Sequence, residues 1–125
     1  MKKDSFTPHT IVEIYIKVGL KRSETILSGD YKRGNKAHRK IIKTFKFLEE
    51  NLDVARSVLP LLFRNENTDT RTLAAAHCLA LNVFVKEAEE VLETVASDAA
   101  GGIFAFNARM TLKAWREQGY LKVYS

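Results

Sequence analysis

Apolar residues recur at spacings of three and four along most of the chain, and no convincing stretch alternates apolar with polar residues as a half-buried strand would. The first stripe is Ile11, Ile14, Tyr15, Val18, Ile26 and Leu27. Thr7 before Pro8 is a start signal, because a threonine oxygen accepts from free amides and proline is tolerated in a first turn. A first helix is therefore predicted over about Pro8 to Ser28, weakened in the middle by Gly19, with Gly29 as a stop and Asp30 as the next cap. The second, about Tyr31 to Glu50, places Ala37, Ile41, Phe45 and Leu48 on one face and Lys36, Arg39, Lys40, Lys43 and Lys46 on the other.

Later elements follow the same period. A third helix is expected from about Asp53 to Phe63 through Val54, Val58, Leu61 and Leu62, with a kink or early stop where Pro60 removes a donor. The fourth, capped by Asp69 or Thr68, would bury Leu73, Ala74, His77, Cys78 and Leu81, and its many alanines let neighbouring backbones approach closely. The fifth, about Val85 to Ser97, buries Val85, Ala88, Val91, Leu92 and Val95 and exposes Glu87, Glu89, Glu90 and Glu93. Gly101-Gly102 separates it from a sixth, about Ile103 to Gln118, that stops at Gly119. A shift of 34 residues brings Ala74 onto Ala108, Cys78 onto Leu112 and Leu81 onto Trp115, a weak repeat in register with the helices. The expected fold is all-α: three stacked antiparallel helix pairs in a short right-handed solenoid of the HEAT or armadillo kind, whose second helices line one common face.

Composition makes this one domain over residues 1–125. With 46% hydrophobic residues, 2 Pro and 6 Gly, the chain is neither disordered nor fibrous. At this length folding buries roughly 65–70% of the unfolded surface, enough for a core without staples, and the single Cys78 forms no internal disulfide. The longest apolar stretches, such as Leu73 to Leu81, fall short of the ~20 residues that span a bilayer. Met1-Lys2-Lys3 leads into Asp4, Ser5 and Pro8 rather than an apolar leader, so a cytoplasmic location is expected. Charge changes the picture more. Residues 1–50 hold 12 Lys+Arg and 6 Asp+Glu, net +6, whereas residues 51–125 hold 8 and 9, net −1, so the overall +5 belongs to the N-terminal half.

Candidate chemistry is sparse. His9, His38 and His77 fall on different predicted helices or their ends, and no His/Cys pair has zinc spacing. Gly101-Gly102 lacks the Lys-Ser/Thr and the strand of a phosphate loop, and no nucleophile elbow occurs. No enzyme activity, metal or cofactor is expected. His77 reads as a half-buried histidine bonded to a neighbouring helix rather than as an acid/base group, and Cys78 as a small core residue rather than a nucleophile. Asp69 and Arg71 read as a cap and an inter-repeat ion pair. The lysine stripe of the second helix reads as a solvated face; tracking phosphates is the alternative, without exposed aromatic residues for stacking.

Four segments then carry a resemblance: Gly29-Asp30-Tyr31-Lys32-Arg33-Gly34-Asn35-Lys36-Ala37-His38-Arg39-Lys40; Leu59-Pro60-Leu61-Leu62; Thr70-Arg71-Thr72-Leu73-Ala74-Ala75-Ala76-His77; and Ala108-Arg109-Met110-Thr111-Leu112-Lys113-Ala114-Trp115-Arg116. In that order and spacing the chain resembles a family of small bacterial proteins, known as a domain of unknown function with a HEAT-like helical fold, from the first helix to Trp115. Thr70 departs from the pattern, where an apolar residue is commoner. The resemblance implies no catalytic residues. It implies an immunity protein of a polymorphic toxin locus, of which contact-dependent growth inhibition is one kind, with a toxin partner that is often a nuclease. The expected partner is thus a cognate toxin domain, bound one-to-one by a monomer, with its active site or its substrate's approach blocked. A basic toxin would meet Glu87, Glu89, Glu90 and Glu93, or Glu66 and Asp69; an acidic toxin surface would meet Lys36, Arg39, Lys40 and Lys43. The alternatives are a nucleic-acid-binding module using the basic second helix and a generic protein-interaction scaffold. An enzyme acting on nucleic-acid bases is least supported, since nothing in the sequence groups Asp69 or Asp98 with aromatic residues.

Overall fold

A computed structural model describes residues 6–29 and 31–124, with side chains described from residue 35 onward in the second helix. The opening residues Met1 to Ser5 and the expected cap Asp30 lie outside the described residues. Among those described, the chain forms six α-helices and no strand: α1 (Pro8–Ser28), α2 (Tyr31–Glu50), α3 (Leu52–Val58), α4 (Thr68–Leu81), α5 (Val85–Ala96) and α6 (Gly102–Gln118). A 3₁₀ turn, Leu59–Leu62, follows α3.

Local signals set most of these limits. Thr7 Oγ1 accepts from the Thr10 amide at 3.2 Å while Thr10 Oγ1 accepts from the Thr7 amide at 2.8 Å, a reciprocal cap ahead of Pro8. Gly29 ends α1 in the left-handed conformation (φ 78°), its N–H donating to the Thr25 carbonyl at 2.8 Å. Pro60, which has no N–H to donate, falls where the α-helix gives way to the 3₁₀ turn, so α3 stops early. The cap of α4 is Asn67, not Thr68 or Asp69. Its Oδ1 accepts from the Thr70 amide at 2.8 Å and from Thr70 Oγ1 at 3.1 Å, so α4 begins at Thr68 and Asp69 turns inward from its first turn.

The inward face of α1 also differs from the expected stripe. Ile11, Tyr15 and Val18 are buried, but the face continues through Thr25, leaving Ile26 exposed and Leu27 74% exposed. Stepping by three or four from Val18 lands on Arg22 and Thr25, one position short of Ile26.

α4 is the centre of the packing. It lies against α1 on one side and α5 on the other, touches α6, and is backed by the 3₁₀ turn; α2 packs on α1, and α6 on α5. Ala74, Ala75 and Cys78 of α4 are fully buried, and these small side chains let neighbours come close. The tightest approach is at Gly19. A Cβ placed there would sit 1.9 Å from Thr70 Oγ1 and 2.8 Å from Thr70 Cα, so α1 crosses α4 nearly backbone on backbone. Gly19, read from sequence only as a weak point in a helix, is what permits the crossing. Among the described residues no helix is long and apolar enough to cross a membrane.

Gly19→Ala tests this constraint. Alanine normally adds roughly 1 kcal/mol to a helix interior, but here it must push two backbones apart, at the upper end of the ~1–3 kcal/mol typical of overpacking. The urea midpoint is expected to fall; an unchanged or raised midpoint would show that the helices do not meet there.

Candidate functional site

α2, α4 and α6, with Arg22 of α1, line a partly open cavity of about 220 Å³ that Leu121, Lys122 and Val123 also border. Ile41 and Ile42 come from α2, Ala76 and His77 from α4, and Asn107 and Ala108 from α6. His38 and His77, on different helices, reach the same cavity.

His77 is 3% exposed and more deeply placed than a half-buried histidine. Its Nδ1 is 2.6 Å from the Tyr15 hydroxyl of α1, and Phe45 stands edge-on to its ring with centroids 4.8 Å apart. Burial, with Cys78 adding, holds the Tyr15 pKa well above its usual value, so the hydroxyl keeps its proton in this contact. Burial first, then the charges of Arg22 and His38, push the His77 pKa down to about 3.

Asp69, expected among exposed acidic residues, is instead 5% exposed. Arg22 of α1 stands 3.4 Å from its Oδ2, and Thr72 Oγ1 lies 3.5 Å from Oδ1. Burial raises its pKa, against the lowering effects of Arg22 and the Thr72 hydrogen bond. Oδ2 accepts no hydrogen bond, so the ion pair is its compensation. Arg71 does not join this pair; it donates to the Asn65 carbonyl at 2.8 Å and to Thr68 Oγ1 at 3.2 Å, tying down the connector before α4.

A second feature lies between α1 and α2. Lys17 and Lys21 face Lys36 and Lys40 across a cleft of about 460 Å³ floored by Val18 and Ala37. Arg39 and Lys43 are exposed on α2 beside it. The acidic residues are divided differently. Glu89 Oε2 accepts from Trp115 Nε1 at 2.9 Å, and Glu93 Oε2 accepts from Arg116 Nη2 at 2.5 Å, fastening α5 to α6. Glu87 and Glu90 line a separate shallow cleft with Arg64 and Arg71, and Glu66 is exposed in the connector before α4. The structure thus gathers Lys36 and Lys40 with two lysines that sequence reasoning left out. The i, i+4 spacing of Lys17 and Lys21 was legible, but their meeting with α2 depends on how the helices pack.

The remaining chemistry is structural. Cys78 is fully buried, and burial followed by Glu87 pushes its thiol pKa up to about 12, which keeps it a thiol. Among the described residues no group of three or more His, Cys, Asp or Glu side chains is placed to hold a metal ion.

With this geometry in place, comparison with known proteins gives two likenesses. The family model described as Domain of unknown function (DUF2019) matches residues 9–115. The crystal structure of the protein RPA1889 from Rhodopseudomonas palustris CGA009 is similar over 98% of both chains, at 22% sequence identity and a TM-score of 0.82, a likeness of fold. No curated protein matches the chain.

Two outcomes test the buried groups. An unfolded histidine takes up a proton below about 6.5, whereas folded His77 does so only near 3, so the unfolded state binds more protons and His77 costs stability as pH falls through that window. Asp69 acts oppositely, because its raised pKa makes the folded state protonate first. His77→Gln, which can still accept from Tyr15, is expected to make the acid-side fall in urea midpoint shallower; parallel profiles would remove His77 as the cause. Cys78 is expected to resist a thiol reagent in the folded protein and to react once urea unfolds it, so fast labelling of the native chain would contradict its burial.

Proposed function

We propose that this chain, which belongs to the family described as Domain of unknown function (DUF2019), is an immunity protein that binds and neutralises one cognate bacterial toxin domain. It works as a HEAT- or armadillo-like solenoid of three helix pairs, a cytoplasmic monomer bound one-to-one. The joint lining of one cavity by α2, α4 and α6, the second members of the three pairs, supports that solenoid reading.

The observation that carries the binding mode is the basic cleft. Lys17, Lys21, Lys36 and Lys40 present one sign of charge from two packed helices, over a small apolar floor. A toxin surface with carboxylates around an apolar side chain complements it, and such complementarity sets encounter rate and partner choice. Glu89 and Glu93 fasten α5 to α6, whereas in the cleft Lys21 pairs with Glu24 at 3.6 Å across one turn of its own helix, which leaves the basic side the better supported. A nuclease is positively charged where it grips phosphates, so the cleft engages such a toxin at an acidic surface beside its active site and blocks the substrate's approach.

The same four lysines also favour a second reading, a nucleic-acid-binding module. That reading requires binding to unrelated RNA or DNA that persists at physiological salt and weakens steeply as salt rises.

Growth rescue provides the test. If the gene immediately upstream encodes a toxin domain, co-expression of the chain with that domain is expected to restore growth. The triple variant Lys17→Glu/Lys36→Glu/Lys40→Glu is expected to lose protection and roughly a hundredfold in affinity, since like charges brought together cost several kcal/mol. Glu87→Lys/Glu90→Lys is expected to protect like wild type. Failure of the wild-type chain to rescue would end the immunity reading, and full rescue by the triple variant would end the role of the cleft.

A further inference from the structure

The last residues of the chain hold an unusual position. Gly119 closes α6 in the left-handed conformation (φ 82°), its N–H donating to the Trp115 carbonyl at 2.8 Å. The chain then runs on without regular secondary structure, and Leu121, Lys122 and Val123 form a wall of the cavity between α2, α4 and α6. It ends on α2. There the Tyr124 hydroxyl donates to the Glu49 carboxylate, its ring lies 6.0 Å from that of Phe45, and Lys46 Nζ stands 4.6 Å from its centroid. The segment therefore leaves one helix of the groove and anchors on another.

We infer that the groove across α2, α4 and α6 is a docking groove for an extended segment of a protein partner, and that Leu121–Tyr124 is its built-in occupant, which the partner displaces. The occupant defines the chemistry that fits: two aliphatic side chains flanking a basic one, then a tyrosine whose ring meets Phe45 and Lys46 and whose hydroxyl meets Glu49. Side chains do the holding. Among the described residues, 120–124 make no backbone-to-backbone hydrogen bond with a helix, so a competing segment breaks no ladder when it enters. The floor of the groove is partly polar, since His77 lines the cavity with its Nδ1 bonded to the Tyr15 hydroxyl. This inference concerns a different surface from the basic cleft and holds whether or not the partner is a toxin.

The test uses the full chain and a fluorescent peptide copying residues 118–124. In wild type the tethered segment competes at an effective concentration in the millimolar range, so the free peptide is excluded. In Leu121→Ser/Tyr124→Ala, with unchanged far-ultraviolet circular dichroism, the peptide is expected to bind saturably and roughly tenfold or more tighter than to wild type. Adding Glu49→Gln, on the exposed rim, is expected to weaken that binding. Tyr124→Phe, which removes only the hydroxyl bond, serves as the second variant if the double one loses helicity, with binding expected between wild type and the fully released segment. Equal binding to wild type and variant, no binding to any folded variant, or indifference to Glu49→Gln would overturn the inference.

Discussion

The near-contact of two backbones where Gly19 crosses Thr70 governs the rest of the molecule. It fixes the antiparallel register of α1 on α4, and the two polar pairs between these helices follow from it. Toward the start of α1, Tyr15 meets His77; toward its end, Arg22 meets Asp69. At the crossing point itself there is no room for a side chain on Gly19, and the larger polar residues meet on either side of it. Buried polar groups are tolerable there because each has a partner across the seam: the phenol hydrogen-bonds the imidazole, and the guanidinium faces the carboxylate. Thr70 serves in the same place by bonding its hydroxyl to the capping Asn67.

With α1 fixed on α4, the charged residues acquire distinct roles. α2 docks on the other side of α1, which brings its lysines opposite Lys17 and Lys21 and makes one basic cleft from two separate stripes. At the other end, Glu89 and Glu93 are drawn to Trp115 and Arg116 and hold α5 to α6. The net charge of +5 therefore describes the surface poorly. The surface carries a concentrated basic cleft between α1 and α2 and a partly neutralised acidic helix in α5.

Helix content and most boundaries were legible in the sequence, because they depend on interactions between near neighbours. Thr7 with Pro8, Gly29, Pro60 and Gly119 each act within a turn of their own position, and each stands where the expected limit falls. Where local signals competed, the sequence was ambiguous. Thr68, Asp69 and Asn67 all have capping oxygens, and only the reach of the Asn67 amide to Thr70 selects one. The residues beyond Gly119 had no legible role, since six residues without periodicity carry no pattern that points to a distant groove.

The sequence by itself determined an all-helical chain, its caps and stops, the placement of most core positions, and a basic N-terminal half. Tertiary structure alone decided that Gly19 is a crossing point rather than a weakness, that Asp69 is an inward partner of Arg22 rather than a surface acid, and that Lys17, Lys21, Lys36 and Lys40 line one cleft. The physical reason is the range of the forces involved. Hydrogen bonds and periodicity along a helix act over three or four residues, whereas the approach of two helices depends on steric fit between side chains up to 62 positions apart, as with Tyr15 and His77.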